Sequence, residues 1–392
     1  MKIAMVFDGL QTGGIERVGV DYARLFRELG HEVDAYNLRP ALNAMEGDMA
    51  KYARVLRLNF PRWFAPERYA ATVNKAWWGK FVYPVAFCIM GLVDWLYRPF
   101  IRLALPATRG EYDAVIAFSG HVNDLTVTAD RIIKGKKKAA WLHGALYGYA
   151  VLSPAYCRLY TKIINLVCLS ELCDTEFYRY FQANRIHKQR IYNPIFIGQR
   201  PIDTALVAEL KEKYGDFCLM VARLADDKDQ KTAMDAVALM NQKYGTAKKL
   251  LLVGGGPNRA ALESYAQEHG LTEQVAFIGN RTDVQNFYTA ATVYVHSSPA
   301  EGLPTVLLEA MNYGLPIAST DSIPGVREIL QNERCGLISA VYDADGLAEN
   351  IHRLYTDPAL AGQLIQNGRA RIRDFRPDAI RAQIDAFLKE LQ

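Results

Sequence analysis

The chain has 392 residues, half of them hydrophobic, which is too long for one ordinary core and rich enough for two domains of about 200 residues each. Its six cysteines, at 88, 157, 168, 173, 218 and 335, show no C-x-x-C spacing and no paired histidine motif, which excludes a zinc ribbon or a disulfide framework and leaves buried thiols in a reducing compartment. The net charge of +4 is unevenly divided: residues 1–200 carry 27 Lys+Arg against 17 Asp+Glu and the rest carry 19 against 25, so an anionic partner is expected on the first half, a membrane surface, a phosphorylated acceptor or nucleic acid.

Met1-Lys2 runs directly into a strand over 2–7, so no leader is expected. The loop Asp8–Gly14 leads to a helix over 15–29, with Val18, Tyr22, Leu25, Phe26 and Leu29 at helical spacing, and a strand follows over 32–38. This is a βαβ opening. Gly13 and Gly14 let a ligand come close to the backbone at the helix start. The loop D-G-L-Q-T-G-G is not a G-x-G-x-x-G fingerprint, and no acidic residue ends the second strand. A nicotinamide enzyme is therefore not expected.

Residues 51–109 interleave Lys51, Arg54, Arg57, Arg62, Arg68, Lys75 and Lys80 with Phe60, Trp63, Phe64, Tyr69, Trp77 and Trp78, and then turn apolar. The longest charge-free piece, 81–93, is short of the roughly 20 residues that span a bilayer. Two readings stay open: a basic, aromatic element lying in a membrane interface, or a helical insertion packed on its own domain. Nucleic-acid binding uses similar residue types, but no such signature is present and no nucleic-acid partner is expected.

Strands are expected at 114–119 and 139–142, with the lysines of 134–138 in a solvated loop. His143 follows the second of these strands directly, at the edge where open sheets bind ligands; it is a site residue there or a satisfied structural histidine. Further strands at 163–169 and 190–192 lead to Asn193-Pro194, which ends the first domain, and 195–203 reads as a linker.

The alternation then restarts. Strands at 217–222, 249–253, 275–278, 291–295 and 316–319 are separated by helices at 232–244, 259–269, 283–290 and from Thr305, a candidate N-cap. Amphipathic helices at 343–355 and 377–391 follow. Alternating strands and helices mean parallel sheets with right-handed crossovers. The loops 223–228, 254–257, 279–283 and 297–305 then share one sheet edge. Arg223 and Lys228 beside a Gly-rich turn that includes Gly255 would hold a diphosphate and stabilise its charge as it leaves. Glu301 on its loop and Glu309 one turn into the next helix would accept hydrogen bonds from hydroxyls. Surface charge and an ordinary helix start are the plainer alternatives for these residues.

Taken together, E-G-L-P-T-V-L-L-E-A, A-R-L-A-D-D-K, G-G-I-E-R and R-I-Y-N-P make the chain resemble the retaining glycosyltransferases of family 4. Ala222 stands where that family has Gly, and Asp229 where Gly usually follows the lysine. The resemblance implies the GT-B fold: two Rossmann-like, doubly wound α/β domains facing across a cleft, here 1–195 and 196–376, with the helix of 377–392 crossing back to the first. It implies that Arg223 and Lys228 bind a nucleotide diphosphate. Glu301 would take donor-sugar hydroxyls with the Gly302 and Leu303 backbone, and Glu309 the ribose. Asn280 and Arg281 would border the base, His143 would approach the sugar, and Gly13-Gly14 would lie under the diphosphate and acceptor. The expected activity is metal-independent, cofactor-free transfer from a UDP-sugar to a glycan or lipid-linked acceptor, in the cytoplasm at the membrane's inner face. A nucleotide-sugar epimerase, a phosphorylase and a non-catalytic sugar-nucleotide-binding partner are the alternatives.

Overall fold

In the computed structural model the chain divides into two compact units, Met1–Pro194 with Pro377–Gln392, and Ile195–Arg376. The structure describes residues 1–60, 111–143, 154–170, 186–196 and 201–391, with a few single positions between 78 and 96. Most of the basic and aromatic stretch expected to face a membrane therefore lies outside the described residues.

The first unit is built on one parallel sheet. Its strands are β1 (Lys2–Phe7), β2 (Glu32–Asn37), β3 (Arg54–Arg57), β4 (Tyr112–Ala117), β5 (Gly135–Leu142), β6 (Asn165–Cys168) and β7 (His187–Arg190). They stand in the order β3-β2-β1-β4-β5-β6-β7. The central strands are buried almost throughout, as a parallel sheet covered on both faces requires.

Two features depart from the sequence reading. The lysines of 134–138 are not all in a loop: β5 starts at Gly135, and Lys137 and Lys138 pair in register with Ala114 and Val115. Their ammonium groups reach carbonyls at the ends of helices, Lys137 donating to the Leu391 carbonyl and Lys138 to the Lys162 carbonyl at 2.6 Å. The long lysine stems let the strand stay apolar while the charge escapes. β3 lies inside the segment read as an insertion. Its arginines pair with carboxylates of the same unit, Arg54 with Asp34 on β2 and Arg57 with Glu46 just after it, each at 2.6 Å.

An aromatic seam ties the C-terminal helix Pro377–Glu390 into this unit. Trp141 stacks on Phe118 at 5.7 Å and meets Phe387 edge-on at 5.7 Å. Tyr22 packs edge-on against both Phe118 and Trp141 and donates its hydroxyl to the Tyr192 carbonyl at 3.0 Å.

The second unit repeats the plan. β8 (Cys218–Val221), β9 (Leu250–Val253), β10 (Val275–Gly279), β11 (Val293–His296), β13 (Ile317–Thr320) and β15 (Leu337–Ser339) form a parallel sheet in the order β10-β9-β8-β11-β13-β15. A small second sheet pairs β12 (Ala300–Glu301) with β14 (Ile323–Pro324). Among the helices with no counterpart in the sequence reading are Thr204–Tyr214 and Pro358–Arg371. Both start at an aspartate whose carboxylate accepts from the first turn, Asp203 from Ala205 N and Leu206 N and Asp357 from Leu360 N. Thr305 proves to be the first helical residue rather than the cap, because Pro304 takes the N-cap position of Thr305–Asn312.

In both sheets the chain runs outward from one central strand and then returns to its other side. That reversal falls between β1 and β4 in the first unit and between β8 and β11 in the second. It opens a crevice at the carboxyl ends of the strands, the usual ligand position in such sheets.

Phe387 is fully buried, so Phe387→Ala is expected to destabilise the first unit by about 3–5 kcal/mol. Urea unfolding followed by tryptophan fluorescence reads this; a midpoint equal to wild type would mean that the helix is not docked on Trp141.

Candidate active site

The loop after β8 carries the two cations that the sequence singled out. Asp226–Lys228 form a single 3-10 turn, and Asp229 then takes the left-handed conformation (φ 47°) before the helix Gln230–Tyr244. The glycine run after β9 lies against this loop backbone to backbone. A Cβ on Gly254 would fall 2.0 Å from the Ala222 carbonyl oxygen, and one on Gly256 2.2 Å from that of Leu224. Leu224 N donates to the Gly255 carbonyl, and Asn258 N to the Leu224 carbonyl. Gly254 and Gly256 are thus required by loop-on-loop packing. The side chain missing from Gly255 leaves room for the Asn280 amide, which a Cβ would meet at 2.8 Å.

The loop after β11 is fixed as firmly. Ser297 Oγ donates to the Asp229 carbonyl at 2.8 Å, locking it to the first loop. Thr320 Oγ1 donates to the Ser298 carbonyl at 3.0 Å, and Ser322 Oγ donates to the same oxygen. Glu301 is itself a residue of β12, in register with Pro324.

The two loops bring Arg223, Lys228 and Glu301 together. Lys228 Nζ donates to Glu301 Oε1 at 2.6 Å and lies 3.6 Å from Asp227 Oδ2. Arg223 donates to Asp227 at 3.1 Å. The result is an alternating chain, Arg223–Asp227–Lys228–Glu301, in which the charges cancel. Its links are unequal. The Arg223 and Asp227 side chains are 64% and 53% exposed, against 22% for Lys228 and 17% for Glu301. The outer pair contributes roughly 0–1 kcal/mol and parts readily; the inner pair is better shielded from water and correspondingly tighter. An arriving diphosphate would take both cations from their carboxylates and release Glu301 for hydroxyls.

The other predicted residues lie on other elements of the two units. Glu309 lies on the helix after Glu301, beside the buried Tyr288, whose hydroxyl is pushed well above its usual pKa by burial first and then by the Glu309 charge. Tyr288 stacks on Tyr294 and on Tyr313, so this corner is rigid and aromatic. Leu303 is buried, and the Gly302 carbonyl lies where a Cβ on Gly325 would stand, at 2.6 Å. Arg281 is held by Asp283 at 2.6 Å and sits over the Phe287 ring, on the loop after β10 that also carries Asn280. Gly13, Gly14 and His143 belong to the first unit. Gly13 is the N-cap of Gly14–Glu28, and a Cβ on Gly14 would meet open space. The His143 ring packs on Phe118, with Nε2 2.6 Å from the Phe118 carbonyl oxygen, and burial lowers its pKa to about 4. It is neutral at physiological pH.

Two groups escaped the sequence reading. His296 ends β11 with its Nε2 4.0 Å from Glu301 Oε1, and its pKa is lowered to about 4, chiefly by burial. The signal was available, since His296, like His143, stands at the carboxyl end of a strand. In the first unit the crevice between β1 and β4 holds a polar cluster. The buried Asp8 accepts from Asn123 Nδ2 at 2.7 Å and pairs with Arg39 at 2.9 Å, with His121 Nδ1 at 3.3 Å. These residues are scattered over more than a hundred positions, and only the sheet order gathers them.

The fold is shared with solved GT-B structures. Anabaena HepE in complex with UDP superposes over the whole of both chains with a TM-score of 0.74 at 20% identity. The α/β architecture of two Rossmann-like parallel-sheet units is therefore that of GT-B. Within it, residues 203–371, nearly all of the second unit, match the family glycosyl transferases group 1. A putative glycosyltransferase of Bacillus subtilis, EpsD, is 33% identical over 175 residues, 43% of this chain and 45% of the relative. A Campylobacter jejuni alpha-1,4-N-acetyl-D-galactosaminyltransferase, whose name gives a PP-undecaprenol-linked diNAcBac-GalNAc-GalNAc glycan as its substrate, is 26% identical over 177 residues, 45% of this chain and 49% of the relative. The chain spans about half the length of these curated relatives.

The packing separates the glycines. Gly254→Ala combines a left-handed φ of 143° with a backbone collision and is expected to lose about 2 kcal/mol or more of stability. Gly14→Ala meets nothing and is expected to gain up to about 1 kcal/mol as a better helix former. Denaturant unfolding of the two variants checks this; equal midpoints would refute the loop-on-loop account.

Proposed function

We propose that this chain is a retaining glycosyltransferase that moves a hexose or N-acetylhexosamine from a UDP-sugar to a glycan or lipid-linked acceptor in surface polysaccharide or glycoconjugate biosynthesis. The observation that carries the reading is the meeting of Arg223, Lys228 and Glu301 at the strand-order reversal of the segment that matches the glycosyl transferases group 1 family. The UDP in the HepE structure and the N-acetylhexosamine in the Campylobacter enzyme's name support the choice of donor.

In this reading Arg223 and Lys228 hold the diphosphate and need no metal to do so. Glu301 accepts hydrogen bonds from the sugar, Glu309 from the ribose, and Asn280 and Arg281 border the base. The bond between the sugar carbon and the phosphate oxygen breaks through an oxocarbenium-like transition state, and the two cations stabilise the departing charge. The acceptor oxygen bonds to the same face of that carbon, and its proton goes to the leaving phosphate. Glu301 has no nucleophilic role, and UDP is released. His143, neutral and held by the Phe118 carbonyl, is assigned to the transferred sugar.

The acceptor side of the proposal is a peripheral site on an anionic membrane, at its inner face. The basic first half supports it, as do Val85, Ile89, Leu92 and Leu96, which are helical, more than half exposed and spaced by four, three and four residues. Among the described residues no helix is long and apolar enough to cross a membrane.

Binding of UDP and of one UDP-sugar is expected to raise the melting temperature, by about 2.7 kcal/mol of added stability at a hundredfold excess over Kd. EDTA should not change the shift, and Arg223→Ala should weaken binding about 10- to 100-fold. No shift with any uridine nucleotide would sink the reading, and release of a free epimer in place of a transferred sugar would move it to an epimerase. Sedimentation with phosphatidylglycerol vesicles at low salt, and its loss in Ile89→Asp with Leu92→Asp, tests the membrane half; protein left in the supernatant refutes it.

A further inference from the structure

One polar atom at the heart of the candidate site is left unmet by its resting contacts. His296 is 2% exposed, and its Nε2 is closed off from solvent with no hydrogen-bond partner among the described residues. A buried donor or acceptor in that state is unfavourable and needs an explanation. Nε2 lies 4.0 Å from Glu301 Oε1, the oxygen that accepts from Lys228 Nζ at 2.6 Å. The gap is too long for a hydrogen bond, and a shift of about 1 Å closes it.

Only one side of that gap can move easily. His296 is a sheet residue in register with Ser319 on β13, and its neighbour Ser297 is tied to the Asp229 carbonyl. The Glu301 carboxylate, at the end of a flexible side chain, is held toward Lys228. If the ammonium leaves, the carboxylate loses its cation, and the nearest waiting donor is the imidazole, in the tautomer that carries its proton on Nε2.

We propose that His296 is a positioning residue for Glu301: when a diphosphate takes Lys228, the His296 N–H replaces it on the carboxylate and fixes the orientation in which Glu301 receives the donor sugar. The trigger rests on the nucleotide-sugar reading; the pairing itself does not. The chemistry suits histidine. An uncharged donor uses one of the carboxylate's four lone-pair positions and leaves the others for hydroxyls, whereas a second buried cation would compete with Lys228 for the same oxygen. Glu301 and Lys228 are the charged groups that act on the ring; burial, with Lys228 acting in the same direction, outweighs Glu301 and keeps it neutral.

The first arm of the test needs no nucleotide. Lys228→Met removes the ammonium as a diphosphate would. Nitrogen-15 spectra of the histidine side chains, with His296 assigned through His296→Gln, should then show its Nε2 proton shifted downfield and slowed in exchange with water. Adding Glu301→Ala should abolish the change. An unchanged His296 signal in Lys228→Met overturns the proposal whatever the protein's substrate. The second arm measures Kd for UDP, UDP-glucose and UDP-N-acetylglucosamine. His296→Leu should hold UDP within twofold of wild type and weaken the preferred UDP-sugar about tenfold. His296→Gln, which keeps an N–H at similar reach, should recover most of the loss. Equal weakening of UDP and UDP-sugar, or no recovery in His296→Gln, would mean a purely structural histidine and overturns the proposal. If wild type binds none of the three, the proposed function fails, and the first arm still decides the role of His296.

Discussion

A lysine ammonium 2.6 Å from a glutamate carboxylate, at the open edge of the second sheet, is the contact on which the candidate site depends. It is local in space and remote in sequence. Lys228 belongs to the loop after β8 and Glu301 to the loop after β11, and those loops meet because the strand order reverses between these two strands. Each loop is then pinned to a neighbour by backbone contacts: the first by the glycines of 254–256, the second by Thr320, Ser322 and the β12–β14 pairing. The pair therefore sits in a frame that cannot relax far, with Lys228 held chiefly by Glu301 and more loosely by Asp227. That is a resting state suited to a ligand that brings both an anion and hydroxyls, since such a ligand can part the pair without leaving either charge unpaired.

The first unit repeats the arrangement with different chemistry. Its sheet has the same reversal, and the crevice there holds the buried Asp8 with Arg39, His121 and Asn123. Asp8 is buried with three polar partners, and the neighbouring Asp124, whose carboxyl is raised to about 7 chiefly by burial, accepts from the Gly120 and His121 backbone. The same topology thus yields a charge chain with an exposed outer end in one unit and a packed polar core in the other. What differs is burial: Arg223 lies largely in solvent and can exchange partners, whereas Asp8 cannot give up its partners without stranding a buried charge.

The elements that were legible in the sequence are those whose chemistry is local. Strands with apolar, β-branched runs, such as Ile3–Phe7 and Val293–Val295, announce themselves because both faces are buried. β5 and β3 do not, because Lys136–Lys138, Arg54 and Arg57 carry charges whose partners lie elsewhere in the fold, where no local pattern reveals them. The helices Thr204–Tyr214 and Pro358–Arg371 were missed for a related reason: their first turns are satisfied by Asp203 and Asp357, residues that read equally well as linker or turn. At the site, Arg223, Lys228, Glu301 and Glu309 were visible as charged groups on predicted loops and helix starts. The partnership of Lys228 with Glu301, the Asp8 cluster and the role of the glycines in packing depend on sheet order, which periodicity does not encode.

Asp229 shows how a local irregularity can leave a site intact. The position following Lys228 is left-handed, with φ at 47°, a conformation that glycine adopts freely and that aspartate tolerates better than most side chains. Its carboxylate then gains what glycine lacks, a hydrogen bond from Thr232 Oγ1 at 2.6 Å at the start of the following helix. Its carbonyl meanwhile receives Ser297 Oγ, the bond that joins the two site loops. The backbone geometry that brings Lys228 to Glu301 is thus kept, and the strain of a side chain at that position is offset by a side-chain hydrogen bond that glycine could not make. The spacing of the two cations follows from that backbone turn and from the glycines beneath it, so the residue at 229 can vary as long as it accepts a left-handed φ.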